Sequence, residues 1–331
     1  MKIVRKLAAS LAAVIILCQT AACSQGSPSA ADTAAVTETA AVTEAVNTIT
    51  PRMWKVTDEN GSAAYLLGSA HNTDDRIFHM PDYFEKAYAA CDSVAFETTQ
   101  QTEIPGADYT DGSSVTDHVS REDYEFAKSI LTEAGESEAN LNGKKPCYWS
   151  VLLEQQRARS NGCFYGVDAM LMERAVGDGK ALVSLETPEH HGAYFSSQSD
   201  ALQEWLFHQA ANEAAFSDFS DEKRKLDRWA DGSLRYEDEV EPVRELTEEE
   251  LAALSDEERT DYERNKEYVA WLEETNTARN REMTDTILRS MGEGKKLLVV
   301  AGAMHFLCVN NVLECLEQQG CSVTAYPEYQ E

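Results

Sequence analysis

The sequence predicts an α/β fold with a central mixed or mostly parallel sheet, built from two related β-α-β units, and a large helical insertion. Each unit has an apolar strand, a Gly-x-x-His turn, a helix and a second strand. Strands joined by a helical crossover of this length pair in parallel, and open α/β sheets bind ligands at the carboxyl ends of such strands. The six segments are 63–67, 81–90, 93–96, 296–301, 310–319 and 322–326.

The segment between the two units adds a third strand and the insertion. Residues 168–176 read as a helix, and residues 181–185 as a short strand that ends at Glu186. Residues 199–289 have a helical pattern whose aromatic stripes fit a core or a lid. Within it, Thr247 and Glu250 have the spacing of a capping box, so the surrounding acidic stretch is expected to be a solvated helix.

Composition limits the classes of function. The chain has 331 residues, of which 43% are hydrophobic, and its formal net charge is −29. This hydrophobic content supports a packed core, whereas the acidic surface opposes nucleic acid, whose phosphates require clustered cations. We therefore expect no nucleic-acid partner, and the sequence leaves the oligomeric state open.

The first 50 residues indicate export. Lys2, Arg5 and Lys6 precede an apolar run from residue 7 to 18, which is typical of a secretory signal and too short for a membrane-spanning helix. The run ends at a lipobox-like Thr20-Ala21-Ala22-Cys23. We expect a signal peptide (1–23), lipidation at Cys23, a disordered Ser/Ala/Thr-rich tether (24–50) and a folded domain (51–331, helical insertion about 197–290).

Two locations follow from this N-terminus. A lipid-anchored lipoprotein would lie on the extracytoplasmic side of the cell membrane, whereas ordinary cleavage after Ala22 would give a secreted, extracellular protein. Export also permits disulfides among the six remaining cysteines. A Cys147–Cys163 bridge and a set of buried free thiols are both compatible with the spacing, which matches no zinc knuckle.

The two histidine turns carry the chemistry. His71 and His305 each follow a strand that ends in Gly-x-x-His, and Glu97 ends the strand that follows the His71 unit. If both units share one sheet, these side chains lie on the same edge. Two imidazoles and a carboxylate suit a divalent ion such as Zn, Mn or Co, with Glu97 as a ligand or as a base beside the ion.

Other site motifs are weaker or missing. The sequence contains no H-E-x-x-H helix, Walker A loop or G-x-S-x-G elbow. Glu186 is a second acid at the same edge. Neighbouring His190 and His191 rarely point at one ion, so we expect them in a surface turn.

Several short segments together resemble the TraB/GumN family, which includes the Tiki metalloproteases. The resemblance extends from about Trp54 to Tyr326. It departs from the family at 188–191, where a glutamine is usual, so it assigns no substrate role to that turn. In chain order the segments are Gly68-x-x-His71, Glu97, Gly166 to Ala169, Arg174-Ala175, Gly179-Lys180, Leu185-Glu186-Thr187, Arg279-Asn280 and Gly302-x-x-His305.

The resemblance implies a metalloprotease-like hydrolase acting on a peptide or protein. It places Glu97, Glu186 and Arg279 in the catalytic group, where Arg279 would stabilise an oxyanion or pair with an acid. The expected metal ligands are His71, His305 and Glu97, and the expected substrate-binding residues are Gly68, Gly302 and Asn280. A metal-free histidine hydrolase and a non-catalytic binding or signalling lipoprotein are the alternatives.

Overall fold

The computed structural model describes residues 49–100, 104–216 and 218–328. The predicted signal peptide and lipidation site, with nearly all of the tether, lie outside these residues. Six strands form one sheet in the order β4-β3-β5-β2-β1-β6. They are β1 (Met53–Thr57), β2 (Ala63–Ser69), β3 (Ser93–Phe96), β4 (Ala181–Ser184), β5 (Leu297–Gly302) and β6 (Ser322–Tyr326).

The sheet confirms the predicted fold class. β5 lies between β2 and β3 and is parallel to both, and β4 extends the parallel set on the far side of β3. The sequence reading missed β1, which is antiparallel to β2 and to β6. This strand has only five residues and only two buried side chains, so its hydrophobic signal is weak.

Helices cover both faces of the sheet and fill the long connection from β4 to β5. Two 3₁₀ helices occupy Asp75–Phe78 and Val115–Asp117. The α-helices are α1 (Asp82–Ala90), α2 (Arg121–Glu133), α3 (Glu138–Asn142), α4 (Pro146–Ser160), α5 (Val167–Gly177), α6 (Pro188–Ser196), α7 (Asp200–Phe216), α8 (Ser220–Ala230), α9 (Tyr236–Glu239), α10 (Glu248–Ala252), α11 (Asp256–Gly292), α12 (Met304–Leu307) and α13 (Val312–Gln318).

The central strand β5 divides the core into two layers. Its side chains alternate, so Leu298 and Val300 pack on one face with Phe84 and other residues, whereas Leu297 and Val299 pack on the opposite face. All six residues of β5 are buried, as expected of a parallel strand covered on both sides. The sheet edge that carries the histidine turns is therefore a rigid platform.

The longest helix, α11, connects the acidic segment to this platform. It has 37 residues and begins at a capping box formed by Ser255 and Glu258. Its C-terminal half is buried and contributes Met283 and Ile287 to the core. The predicted capping box of Thr247 and Glu250 is confirmed at the start of α10. Among the described residues, no helix has the length and apolar content needed to span a membrane.

All six cysteines of the folded body are buried free thiols, which decides between the two readings of their spacing. We expect Ellman's reagent to titrate six thiols in guanidinium, from a chain that begins at residue 49. The native protein should react slowly, because burial raises the pKa of thiols such as Cys91 and Cys147 to about 12. A count of four under denaturing, non-reducing conditions would reveal a disulfide and contradict this arrangement.

Candidate active site at the carboxyl edge of the sheet

Three neighbouring strands deliver the predicted site residues to one edge. β2 ends two residues before His71, β3 ends immediately before Glu97, and β5 ends at Gly302, three residues before His305. Since β5 is parallel to β2 and β3 and lies between them, these carboxyl ends are adjacent. The structure therefore brings both histidines and the carboxylate together.

Glu97 is the centre of the site. One carboxylate oxygen, Oε1, accepts a 2.7 Å hydrogen bond from the Gly302 backbone N–H and lies 3.7 Å from Nε2 of His305. The other oxygen, Oε2, accepts a 2.7 Å hydrogen bond from Nη2 of Arg279 and lies 3.5 Å from Nδ1 of His191. Its side chain is 11% exposed, so its charge is stabilised mainly by these protein groups and less by water.

A second residue holds each imidazole in place. Nδ1 of His71 lies 3.1 Å from Oδ1 of Asp168, in the first turn of α5, and Nδ1 of His305 lies 2.6 Å from Oδ1 of Asn280. The Asn280 amide nitrogen donates to the backbone oxygen of Asn310, so its oxygen is the atom that faces His305. Nε2 of His305 is consequently left with its lone pair directed towards the Glu97 carboxylate.

Gly302 permits this crowding. A Cβ at this position would lie 2.9 Å from Nε2 of His71 and 3.2 Å from Oε1 of Glu97. A Cβ contact of 2.9 Å is essentially never seen in real structures, so the His71 ring would have to shift. The absent side chain therefore lets the His71 ring and the Glu97 carboxylate approach the same point.

Arg279 of α11 links two buried acids. Its Nε and Nη2 donate to the two oxygens of Glu186, at 2.8 and 2.7 Å, and Nη2 also donates to Glu97. The guanidinium lies over the Tyr194 ring, 4.9 Å from its centroid. Burial would raise the pKa of Glu186, but the charge and hydrogen bonds of Arg279 lower it to about 2.

His191 joins this cluster, so the expectation of a surface turn is wrong for it. Residues 188–196 form α6, capped by the Thr187 side chain, and His191 is 5% exposed. His190 does point outwards, with its ring 67% exposed and paired with Glu282. The Thr187-Pro188 pair could have predicted this helix from the sequence, since Thr-Pro is typical of a helix N-terminus. Successive residues of a helix face different directions, so one of two neighbouring histidines can be buried while the other is exposed.

One group among the described residues has the spacing of a metal site: Glu97, Glu186 and His191 offer ligand atoms within 4.8 Å of one another. Arg279 already donates to both carboxylates of this group. A guanidinium therefore supplies the positive charge that a metal ion would otherwise bring. His305 faces the other oxygen of Glu97, Oε1, whose hydrogen bond comes from a neutral backbone N–H.

Comparison with known families identifies the chain. Its sequence matches the family model of the TraB/PrgY/gumN family over residues 52–325. The protein belongs to the TraB/PrgY/gumN family. Searches among curated proteins and among solved structures found no match.

In this family member, the two histidines of the Gly-x-x-His turns, His71 and His305, differ in protonation state. Burial lowers the pKa of His71, but the charge and hydrogen bond of Asp168 outweigh it and raise the pKa to about 9. Burial, reinforced by the Arg279 cation, lowers the pKa of His305 to about 4. Burial opposes the charge of Glu97, yet the surrounding cationic and imidazole groups hold its pKa well below the ordinary value.

The site opens into a cleft between the sheet edge and the helical segment. The predicted residues Gly68 and Asn280 do not line it. The Gly68 carbonyl accepts a 2.8 Å hydrogen bond from Nε1 of Trp229, and Asn280 is fully buried behind His305. The structure thus places both in support of the histidine turns, whereas Gly302 lines the cleft itself.

The far wall of the cleft carries a second arginine-bridged pair of acids. Nη1 of Arg157 donates to Glu213 at 3.2 Å and to Glu222 at 2.7 Å. The other oxygen of Glu213, Oε1, is buried without a hydrogen-bond partner among the residues described. Burial therefore raises the pKa of Glu213 to about 7, despite the opposing charge of Arg157.

We expect Gly302→Ala to reduce the free energy of unfolding by about 1–3 kcal/mol, because the new methyl group overpacks His71 and Glu97. Gly292→Ala, where a Cβ meets nothing within 4 Å, is the matched control and should be neutral or stabilising. Urea denaturation measures the free energy of unfolding of both variants. Equal stability of Gly302→Ala and the wild type would contradict the close approach.

Glu213 should make stability depend on pH. Its folded pKa, about 7, exceeds its ordinary value of 4.5, so the folded state binds this proton more tightly and loses stability as pH rises through this interval. Glu213→Gln should therefore lose less stability than the wild type between pH 5 and pH 8, as measured by urea unfolding. Glu133→Gln, at an exposed position, should show the same pH dependence of stability as the wild type. If Glu213→Gln also showed the wild-type pH dependence, the raised pKa of Glu213 would be refuted.

Proposed function

We propose that this protein is an exported metal-dependent hydrolase, a metallopeptidase-like enzyme that cleaves an amide bond with a metal-activated water. One observation carries the proposal: two imidazoles from opposite ends of the chain face the same part of the site. Nδ1 of His71 is occupied by Asp168, and Nδ1 of His305 by Asn280. Nε2 of His71 is directed towards Gly302, and Nε2 of His305 towards Glu97. Metal-binding histidines in proteins are oriented by such outer partners.

A divalent ion bound by the two imidazoles and Glu97 would displace the proton that Asp168 stabilises on His71. Two nitrogens and a carboxylate oxygen form a donor set that suits Zn²⁺, Mn²⁺ or Co²⁺, and the missing side chain at Gly302 leaves room beside them. His71 and His305 would hold the ion, with Glu97 as a third ligand or as a base beside it. When bound, it would polarise the substrate carbonyl and lower the pKa of its water towards neutrality.

Glu97 is the residue suited to handle the proton. Its low pKa keeps it a carboxylate, which accepts a proton from water as the water oxygen attacks the carbonyl carbon. The same proton then passes to the leaving amine as the C–N bond breaks. Because Arg279 is bound to Glu97 and Glu186, it orients the carboxylate, and Glu186 serves as its counter-ion.

A peptide or protein is the substrate we propose. The walls of the cleft offer both aromatic and charged side chains, such as Tyr194, Phe219 and Glu213. The N-terminal signal supports export, with anchoring through Cys23 at the cell membrane, on its extracytoplasmic side. Mass spectrometry of the mature N-terminus tests the anchor, because acylation adds a defined mass at this residue.

A metal-free hydrolase is the second candidate, and the state of His305 favours it. This imidazole is neutral at pH 7 and its Nδ1 is fixed by Asn280, so Nε2 can act as a general base. Hydrolysis that survives exhaustive chelation selects this candidate over the first.

Metal content distinguishes the two. We expect stoichiometric Zn, Mn or Co in the wild type by elemental analysis after dialysis. His71→Ala and His305→Ala should each lower the affinity for the metal by at least about tenfold, since each removes a ligand. His190→Ala, on the exposed side of α6, is the control and should retain the ion. Unchanged metal in both ligand variants would rule out this site.

A further inference from the structure

Among the residues that the structure describes, Ser69 has a buried hydroxyl without a hydrogen-bond partner, and it lines the same cleft as Glu97. It is the last residue of β2, two residues before His71, and pairs in register with Gly302 of β5. The residue is 2% exposed, and its Oγ has no hydrogen-bond partner among the described residues. Its backbone oxygen accepts a 2.9 Å hydrogen bond from the backbone N–H of Ala303, so it is the hydroxyl that is unsatisfied.

The Tyr109 hydroxyl is also buried without a partner among the described residues, but it lies away from this cleft. Buried hydroxyls elsewhere are paired. Thr73, Ser150 and Thr284 each donate to a backbone carbonyl, over 2.6, 3.0 and 2.7 Å respectively. An unpaired buried hydroxyl costs about 1–3 kcal/mol, so its presence at one position needs a compensating reason. Such violations of packing rules are expected where a ligand or a reacting group completes the site.

The surroundings of Ser69 indicate that this missing partner is water. The residue lines the main cleft together with His71, Glu97 and His305. It also lines a smaller adjoining cavity, with Glu97 and Asp168. A water held among buried polar groups of this kind typically makes two to four hydrogen bonds.

We propose that the Ser69 hydroxyl is a positioning residue that holds the attacking water against Glu97. This inference rests on the proposed hydrolase function. The water donates one O–H to Glu97 and the other to Oγ of Ser69, which leaves its lone pairs free. Glu97 takes the first proton as the water oxygen bonds to the carbonyl carbon, and the second hydrogen stays on that oxygen in the carboxylic acid product.

Ser69→Ala tests the inference, because it removes the hydroxyl without adding bulk. With a quenched-fluorescent peptide library and added Zn²⁺, Mn²⁺ or Co²⁺, we expect kcat to fall by about 10- to 100-fold, since a misplaced reactant loses rate on this scale. KM and bound metal should be unchanged. The melting temperature should stay equal or rise, because the hydroxyl has no partner among the described residues to lose.

Two further variants separate positioning from structure. Ser69→Thr keeps the hydroxyl and should recover most of the lost kcat. Ser150→Ala removes a buried hydroxyl that is paired with Pro146 in α4, so it should lower the melting temperature and leave kcat unchanged. The opposite behaviour of the two alanine variants is the signature of the proposed role.

The outcomes are distinguishable. An active wild type with equal kcat in Ser69→Ala overturns this inference alone. A loss of kcat in Ser69→Ala that is accompanied by less bound metal or by a lower melting temperature also overturns this inference alone. A wild type that hydrolyses no peptide in the library, with any of the three ions, overturns the proposed function and this inference with it.

Discussion

The shared ion pair of Arg279 with Glu97 and Glu186 is the interaction on which the site depends. Two carboxylates this deeply buried would repel each other, and one guanidinium that pairs with both offsets much of this repulsion. Removing a partner from a buried pair costs much more than the pair contributes, because it leaves a charge uncompensated. Arg279 belongs to the long helix α11, so the same contact also connects the acidic helical segment to the sheet edge.

Around this ion pair, the fold places two imidazoles in different states. Asp168 stabilises the charged form of His71, whereas burial and the Arg279 cation favour the neutral form of His305. The difference arises from neighbours on α5 and α11, since both histidines follow equivalent strands. Two similar turns therefore give an acid-like and a base-like group on either side of one carboxylate.

The site also contains features that reduce stability. Ser69 leaves a hydroxyl unpaired beside Glu97, and Glu213 has a buried oxygen without a partner on the far wall of the cleft, as far as the described residues extend. Both line the same cleft. Proteins tolerate such groups where they bind or react. The fully buried strand β5 pairs with β2 at Ser69 and supports this part of the site.

Apolar runs and Gly-x-x-His turns are local patterns, so the order of amino acids was enough to predict the sheet units and the edge that bears the site. Strand β6 was predicted to the residue, and β3 likewise. The contacts of Asp168 and His191 and the unpaired hydroxyl of Ser69 became visible only in the folded chain. Each depends on which side chains from distant segments meet in space. Neither the hydrophobic period nor the spacing of residues along the chain specifies these long-range contacts.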